Sequence, residues 1–242
     1  MENDLKKNNA RILMYHSIGT KHKSEINYDF YHSSEDNFKE QMQYLKEHKD
    51  IAITLTFDDG YESSYKYAYP ILKKMGFSAY FFVIGSKIGS PGYLNWQQIK
   101  ELKDSGMIIG SHGMTHKILT ELKDEDLDYE LRASKKLLEE NLGQSVNYFS
   151  IPGGLYNRKI IQKAKACGYR AVFTSRLYET GYFKIGRIAI NGVWDLRHFI
   201  RIVNNGYSLQ ERILEFIKDL SKKTLGTKRY EQLRTRILNR WK

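Results

Sequence analysis

Residues 51–60 read Ile51-Ala52-Ile53-Thr54-Leu55-Thr56-Phe57-Asp58-Asp59-Gly60. An apolar and β-branched run leads straight into two adjacent carboxylates and a glycine. Continuous rather than alternating apolar character predicts a parallel strand covered on both faces. Two carboxylates at the end of such a strand are costly to desolvate unless a cation or a hydrogen-bond network holds them. The stretch therefore predicts both a buried strand and a site at its C-terminal edge. A second stretch repeats the pattern: Met107-Ile108-Ile109-Gly110 runs into Ser111-His112-Gly113-Met114-Thr115-His116. One carboxylate and two imidazoles suffice to hold a divalent metal, which leaves the other carboxylate free to act as a base.

Working outward, further strands are expected at 11–15, 51–57, 78–84, 107–111, 147–151, 170–174 and 186–190. Amphipathic helical patterns lie between them at 36–48, 62–75, 95–104, 124–141 and 157–167. In the longest, Leu127, Leu131, Leu138 and Leu142 recur at helical spacing, and Gly143 follows as a stop; Gly76 and Gly168 end two others in the same way. Repeated strand–helix units imply right-handed crossovers and an α/β fold, either a barrel or a doubly wound sheet. Seven strands favour an incomplete barrel. In both folds the C-terminal strand edge is where sites assemble, and both motifs sit there.

At 242 residues, 41% hydrophobic and 13% aromatic, the chain suits one globular domain. The only cysteine, Cys167, reads as a small packed residue near a helix end, and no intrachain disulfide can form. Residues 1–9 are polar, with no apolar run behind them, so the sequence predicts a cytoplasmic protein without a membrane span. Of the net charge of +11, +7 falls in residues 218–242, where nine Lys or Arg face two acids. The basic excess belongs to the C-terminus and not to the motif-bearing region.

The pair His112 and His116, four apart, is a common ligand spacing that also arises by chance on a surface. Its place after a strand, with a strand-end Asp-Asp pair elsewhere, favours a metal centre of Asp59, His112 and His116. Two imidazoles and one carboxylate suit zinc, with cobalt, nickel or iron fitting the same donors; magnesium prefers oxygen. Asp58 is then the base for an attacking water in amide or ester hydrolysis. No Gly-x-Ser-x-Gly nucleophile elbow is present. A phosphoryl-transfer reading of Asp58-Asp59 leaves the two histidines without a role.

Thr56-Phe57-Asp58-Asp59-Gly60 and Ser111-His112-x3-His116 resemble the first two motifs of the polysaccharide deacetylases, carbohydrate esterase family 4 with its NodB-homology domain. The resemblance runs from about Ile12 to Ile190. It includes Met14-Tyr15-His16-Ser17, Ala79-Tyr80-Phe81-Phe82-Val83 and Phe149-Ser150-Ile151-Pro152-Gly153-Gly154. It implies a distorted (β/α)7 barrel that removes acetyl groups from N-acetylated sugars with a divalent metal, most simply zinc. By this resemblance Asp58 is the general base, Asp59, His112 and His116 bind the metal, and the backbone N–H of Gly153 faces the oxyanion.

The match departs in two places. Ser150 stands where the family commonly has an Arg that steadies the catalytic Asp, and no late Leu-x-His motif supplies a general acid. His198 opens an expected helix. His16 is the better candidate acid, since it ends the first strand on the same rim and resembles a Tyr-His element of biofilm-type deacetylases. Arg187 can replace the missing Arg charge or meet substrate. Tyr61, Trp96 and Trp194 are the aromatics that could stack on a sugar ring; Tyr61, directly after the Asp-Asp-Gly turn, is expected to line the cleft, and Trp96 reads as a packed residue or loop anchor. Residues 1–205 are expected to form the barrel and 206–242 a basic, amphipathic helical extension. That extension either packs on the barrel or faces an anionic membrane surface, where a lipid-linked sugar would be met at the inner face. No nucleic-acid motif accompanies the charge. The functional expectation is a metal-dependent carbohydrate N-deacetylase; the alternative is a glycan-binding pseudoenzyme that keeps the metal but lacks efficient catalysis.

Overall fold

The computed structural model describes residues 11–20, 29–177, 179 and 181–226. In chain order the elements begin with β1 (Arg11–Tyr15), β2 (Ser17–Ile18), β3 (His32–Ser33), α1 (Glu35–Glu47) and β4 (Ile53–Phe57). They continue with α2 (Tyr69–Met75), β5 (Ala79–Val83), α3 (Trp96–Asp104), β6 (Ile108–Ser111), α4 (Asp124–Asp128), α5 (Ser134–Leu142) and β7 (Tyr148–Ser150). Last come α6 (Arg158–Ala166), β8 (Ala171–Phe173), β9 (Lys184–Ile185), β10 (Ile188–Ala189), α7 (Leu196–Asn205) and α8 (Leu209–Leu225). Each strand expected from the sequence is present. Two of the helical patterns carry an inserted π-turn: Ser64–Ala68 leads into α2, and Tyr129–Ala133 joins α4 to α5.

Eight strands form one all-parallel sheet in the order β10-β1-β4-β5-β6-β7-β8-β9. Its two edge strands are the halves of one segment, residues 184–189. Lys184 pairs with Val172 of β8, and Ile188 pairs with Leu13 of β1, so the segment joins both edges and the sheet curls into a seven-membered barrel. Of the expected strand at 186–190 only Ile188–Ala189 pairs, as β10, and Gly186-Arg187 separate it from β9. A Cβ on Gly186 would lie 2.0 Å from the Arg176 carbonyl oxygen, so backbone crosses closely here and interrupts the ladder. The two-residue strands β2 and β3 pair with each other and are too short to leave a periodic signal.

The pleat of β4 decides which of its side chains enter the barrel. Leu55 and Phe57 point one way, where Phe57 stacks on Phe81 at 4.8 Å. Thr54, Thr56 and then Asp58 alternate with them. The interior packs Ile12, Tyr80, Phe82, Ala171, Phe173 and Ile185. The chain divides into two compact units, Met1–Ile200, which holds the sheet, and Arg201–Lys242. In the second unit Ser208 and Glu211 form a capping box at the start of α8, and Arg201 pairs with Glu211 at 3.0 Å. The basic segment from 227 onward, expected to be helical, lies outside the described residues.

Candidate metal centre and active site

Asp58 and Asp59 follow β4 on the rim where strands end. The Asp58 N–H donates to the Tyr15 carbonyl at 3.0 Å, which sets His16, the next residue after β1, beside the carboxylate pair. Asp59 turns its backbone into the left-handed region at φ 71°, as does His116 at φ 62°. They are the only two non-glycine residues with positive φ among those described. Each such residue costs about 1–3 kcal/mol, and strain of this kind persists where the surroundings enforce it. Both are candidate ligands.

The ligand atoms converge. Asp59 Oδ1 lies 3.3 Å from Nε2 of His112 and 3.3 Å from Nε2 of His116, and all three fall within 4.8 Å of one another. Nδ1 of His112 is 2.9 Å from the Ser150 carbonyl oxygen. A carbonyl can only accept, so Nδ1 carries the proton and Nε2 presents a lone pair to Asp59. Asp59 Oδ1 is itself buried with no hydrogen-bond donor. Two buried acceptors facing each other are unfavourable without a cation between them. This donor set therefore fits a divalent metal, and the Ser150 contact orients one ligand as outer partners of metal-bound histidines do. Burial raises the Asp59 pKa; without a cation between them, the Nε2–H forms of His112 and His116 outweigh it and hold the carboxyl well below its ordinary range. For His116 burial lowers the pKa, and Asp59 more than reverses that, leaving it raised.

Asp58 has a different environment. Arg187, only 2% exposed, approaches it in a fork, with Nη1 to Oδ1 and Nη2 to Oδ2 both at 2.7 Å. Ser150 Oγ donates to Oδ2 at 2.9 Å. The remaining guanidinium contacts are Thr56 Oγ1 at 3.1 Å, Ser150 Oγ at 2.8 Å and the Thr174 carbonyl at 3.1 Å. Burial alone would raise the Asp58 pKa; Arg187 first, then His112, turn the shift downward and keep the carboxylate ionised. Arg187 thus lies behind Asp58, in the interior of the site, with its donors engaged by the protein and not by an open cleft.

The other sequence candidates are placed as follows. His16 is partly buried and stacks on Tyr31 at 4.7 Å, with no partner for Nδ1. Burial lowers its pKa, against the opposing pull of Asp59 and Asp58. Gly153 sits in the turn Pro152–Gly154 after β7 at φ 66°. Tyr61 is buried against Tyr93 and Ile84 instead of lining open space. His198 packs against Trp194 in a tilted arrangement at 4.5 Å.

Glu130 was not anticipated. It is 1% exposed and accepts from the Met114 and Thr115 backbone N–H groups at 2.8 and 2.9 Å, and from the Thr115 hydroxyl. The available signal was an acid at position 130 on the helix face marked by Leu127, Leu131 and Leu138.

A family model described as polysaccharide deacetylase matches residues 45–172, more than half of the chain. YxkH of Bacillus subtilis is 34% identical over 177 residues, covering 68% of this chain and 63% of YxkH. The peptidoglycan-N-acetylmuramic acid deacetylase PdaA of B. subtilis is 33% identical over 134 residues, 54% of this chain and 49% of PdaA. The chain spans about half to just under two thirds of the length of these curated relatives. The deacetylase PplD of Streptococcus pyogenes, solved in complex with acetate, superposes with a TM-score of 0.70 at 27% identity, over 79% of this chain and 96% of PplD. The chain belongs to the polysaccharide deacetylase family.

Proposed function

We propose that the protein is a metal-dependent carbohydrate N-deacetylase that hydrolyses the acetamido group of an amino sugar to a free amine and acetate. The observation that carries this is the pairing of two unlike carboxylates. Asp59 faces two imidazoles as a ligand would, while Asp58 is held ionised by Arg187 and left out of the ligand set. Environments that separate neighbouring acids in this way divide binding from proton transfer.

When bound by Asp59, His112 and His116, a divalent metal, for which zinc suits the donors best, supplies Lewis acidity to the carbonyl and the attacking water. Asp58 takes the proton that this water loses as its oxygen attacks the acetyl carbon. Arg187 and Ser150 fix the plane of the Asp58 carboxylate and keep it ionised for that task. The Gly153 N–H donates to the oxyanion that forms. The carbon–nitrogen bond then breaks; His16, which first takes up a proton from water, passes it to the departing sugar nitrogen, and Asp58 later releases to water the proton it took. Asp58 and Asp59 favour the protonated form of His16, against a burial that outweighs them in the resting protein.

The named activity of PdaA on peptidoglycan N-acetylmuramic acid supports an N-acetylated amino sugar as the substrate class. The pseudoenzyme reading rested on Ser150 replacing an Arg and on the missing late His. Arg187 beside Asp58 removes the first of these grounds. We also infer an anionic membrane surface as a partner of α8, which exposes Leu209, Ile213, Phe216, Ile217 and Leu220 along one stripe. A lipid-linked or nascent glycan would be met there.

The test is product analysis on an N-acetylglucosamine oligomer with metal-loaded protein. Acetate and free amine in equal amounts support the reading. Sugar binding without either product would assign the chain to the glycan-binding class.

A further inference from the structure

The loop that carries both histidine ligands holds one non-glycine residue, His116, in the left-handed region. His116 is at φ 62° and Gly113 at φ 80°, and residues 113–116 make no helix or strand. Its carbonyls are used by the neighbouring strand-end loop: Gly85 N–H donates to Gly113 O at 3.0 Å, and Ser86 N–H to Met114 O at 2.8 Å. Its amides point the other way. Those of Met114 and Thr115 converge on one carboxylate oxygen of Glu130, and the Thr115 hydroxyl donates to the other. Three donors on one buried carboxylate is a built cradle.

Two further features show that the fold is arranged around this contact. Glu130 lies in the π-turn Tyr129–Ala133, where the extra residue per turn re-aims a side chain that a regular helix would place elsewhere. The turn is anchored behind it, since Ser134 Oγ donates to the Glu130 carbonyl at 2.6 Å and Ser111 Oγ donates to Ser134 Oγ at 2.8 Å. Ser111 immediately precedes the ligand His112. In addition, a Cβ on Gly113 would lie 2.8 Å from Glu130 Oε2, so only glycine admits the carboxylate this close to the loop. No cation lies within 4 Å of Glu130 among the described residues. Its three donors all come from the loop.

We propose that Glu130 is a positioning residue for the metal centre: it holds the His112–His116 loop in the left-handed turn that presents the His116 ring to Asp59. It touches neither metal nor substrate and acts through the loop backbone. The inference rests on the metal-centre reading above.

Cobalt titration of the metal-stripped protein, followed by its visible absorption, tests this in wild type, Glu130→Asp and Glu130→Gln. Aspartate keeps the charge but is one methylene too short to reach the three donors. Glutamine keeps the reach and one accepting oxygen. The expected result is a 10- to 100-fold weaker cobalt affinity and an altered band pattern for Glu130→Asp, the range typical of outer partners of metal ligands. Glu130→Gln should recover to within about threefold of wild type and regain its spectrum, since most of the lost 10- to 100-fold came from position, not charge. Wild-type affinity and spectrum in Glu130→Asp, whatever its melting temperature, would overturn the proposal. Failure of the wild type to bind cobalt would instead sink the metal-centre reading.

Discussion

At the scale of single residues, Asp58 and Arg187 lie 129 positions apart in sequence and are buried together. Removing one member of a buried ion pair leaves an uncompensated charge. Arg187→Ala is therefore expected to lower unfolding stability by about 3–5 kcal/mol, read from urea denaturation, and to reduce kcat more than KM. The pH dependence follows from the sign of the shift. Asp58 is lowered in the folded state, so its stabilisation is complete above the unfolded carboxylate pKa and is lost as pH falls below about 4. Arg187→Ala should flatten that acid limb in the metal-stripped protein; an unchanged limb would disconnect the pair. The residues of both motifs were legible because strand-end carboxylates and histidines carry a cost that only chemistry explains. The sequence offered Arg187 as a stand-in for the missing Arg beside Asp58 but left a substrate contact open as well, since nothing local reports a contact across the barrel. Tyr61 misled for a related reason: adjacency to the Asp-Asp-Gly turn says nothing of which way the ring packs, and it packs inward on Tyr93.

At the scale of elements the strands were readable because parallel strands covered on both faces are continuously apolar. The π-turns were not, because one inserted residue barely disturbs a helical pattern. Both insertions nevertheless serve the site. Ser64, at the start of the first, donates to the His16 carbonyl at 2.6 Å, and the second aims Glu130. The break at Gly186-Arg187 is the third such device, since it lets one segment close the barrel and still send a guanidinium inward. Gly186→Ala would force a Cβ onto the Arg176 carbonyl, and a cost of about 1–3 kcal/mol is expected. Urea unfolding of that variant would measure it, with a parallel loss of activity if Arg187 is displaced. For α8, co-sedimentation with anionic vesicles should occur at low salt and drop several-fold in Phe216→Asp. Equal binding by the variant would remove the membrane inference.

At the scale of the whole molecule, strand order follows from short right-handed crossovers, so the parallel α/β class was foreseeable from the alternation of patterns, and the count of seven strands favoured a barrel over a doubly wound sheet. The barrel's closure was not foreseeable, because it depends on both halves of residues 184–189 pairing with opposite edges. Among the described residues no helix is long and apolar enough to cross a membrane. What the barrel achieves is to bring three strand ends, β4, β6 and β7, to one rim: two carboxylates from the first, two imidazoles from the second, and from the third a serine that touches both sets. The most direct measurement is acetate release from an N-acetylated oligosaccharide by protein stripped of metal and then reloaded with zinc. Activity is expected to return with zinc and to be absent in Asp58→Asn even though that variant still binds the metal. Turnover that persists in Asp58→Asn, or that is indifferent to stripping, would contradict this.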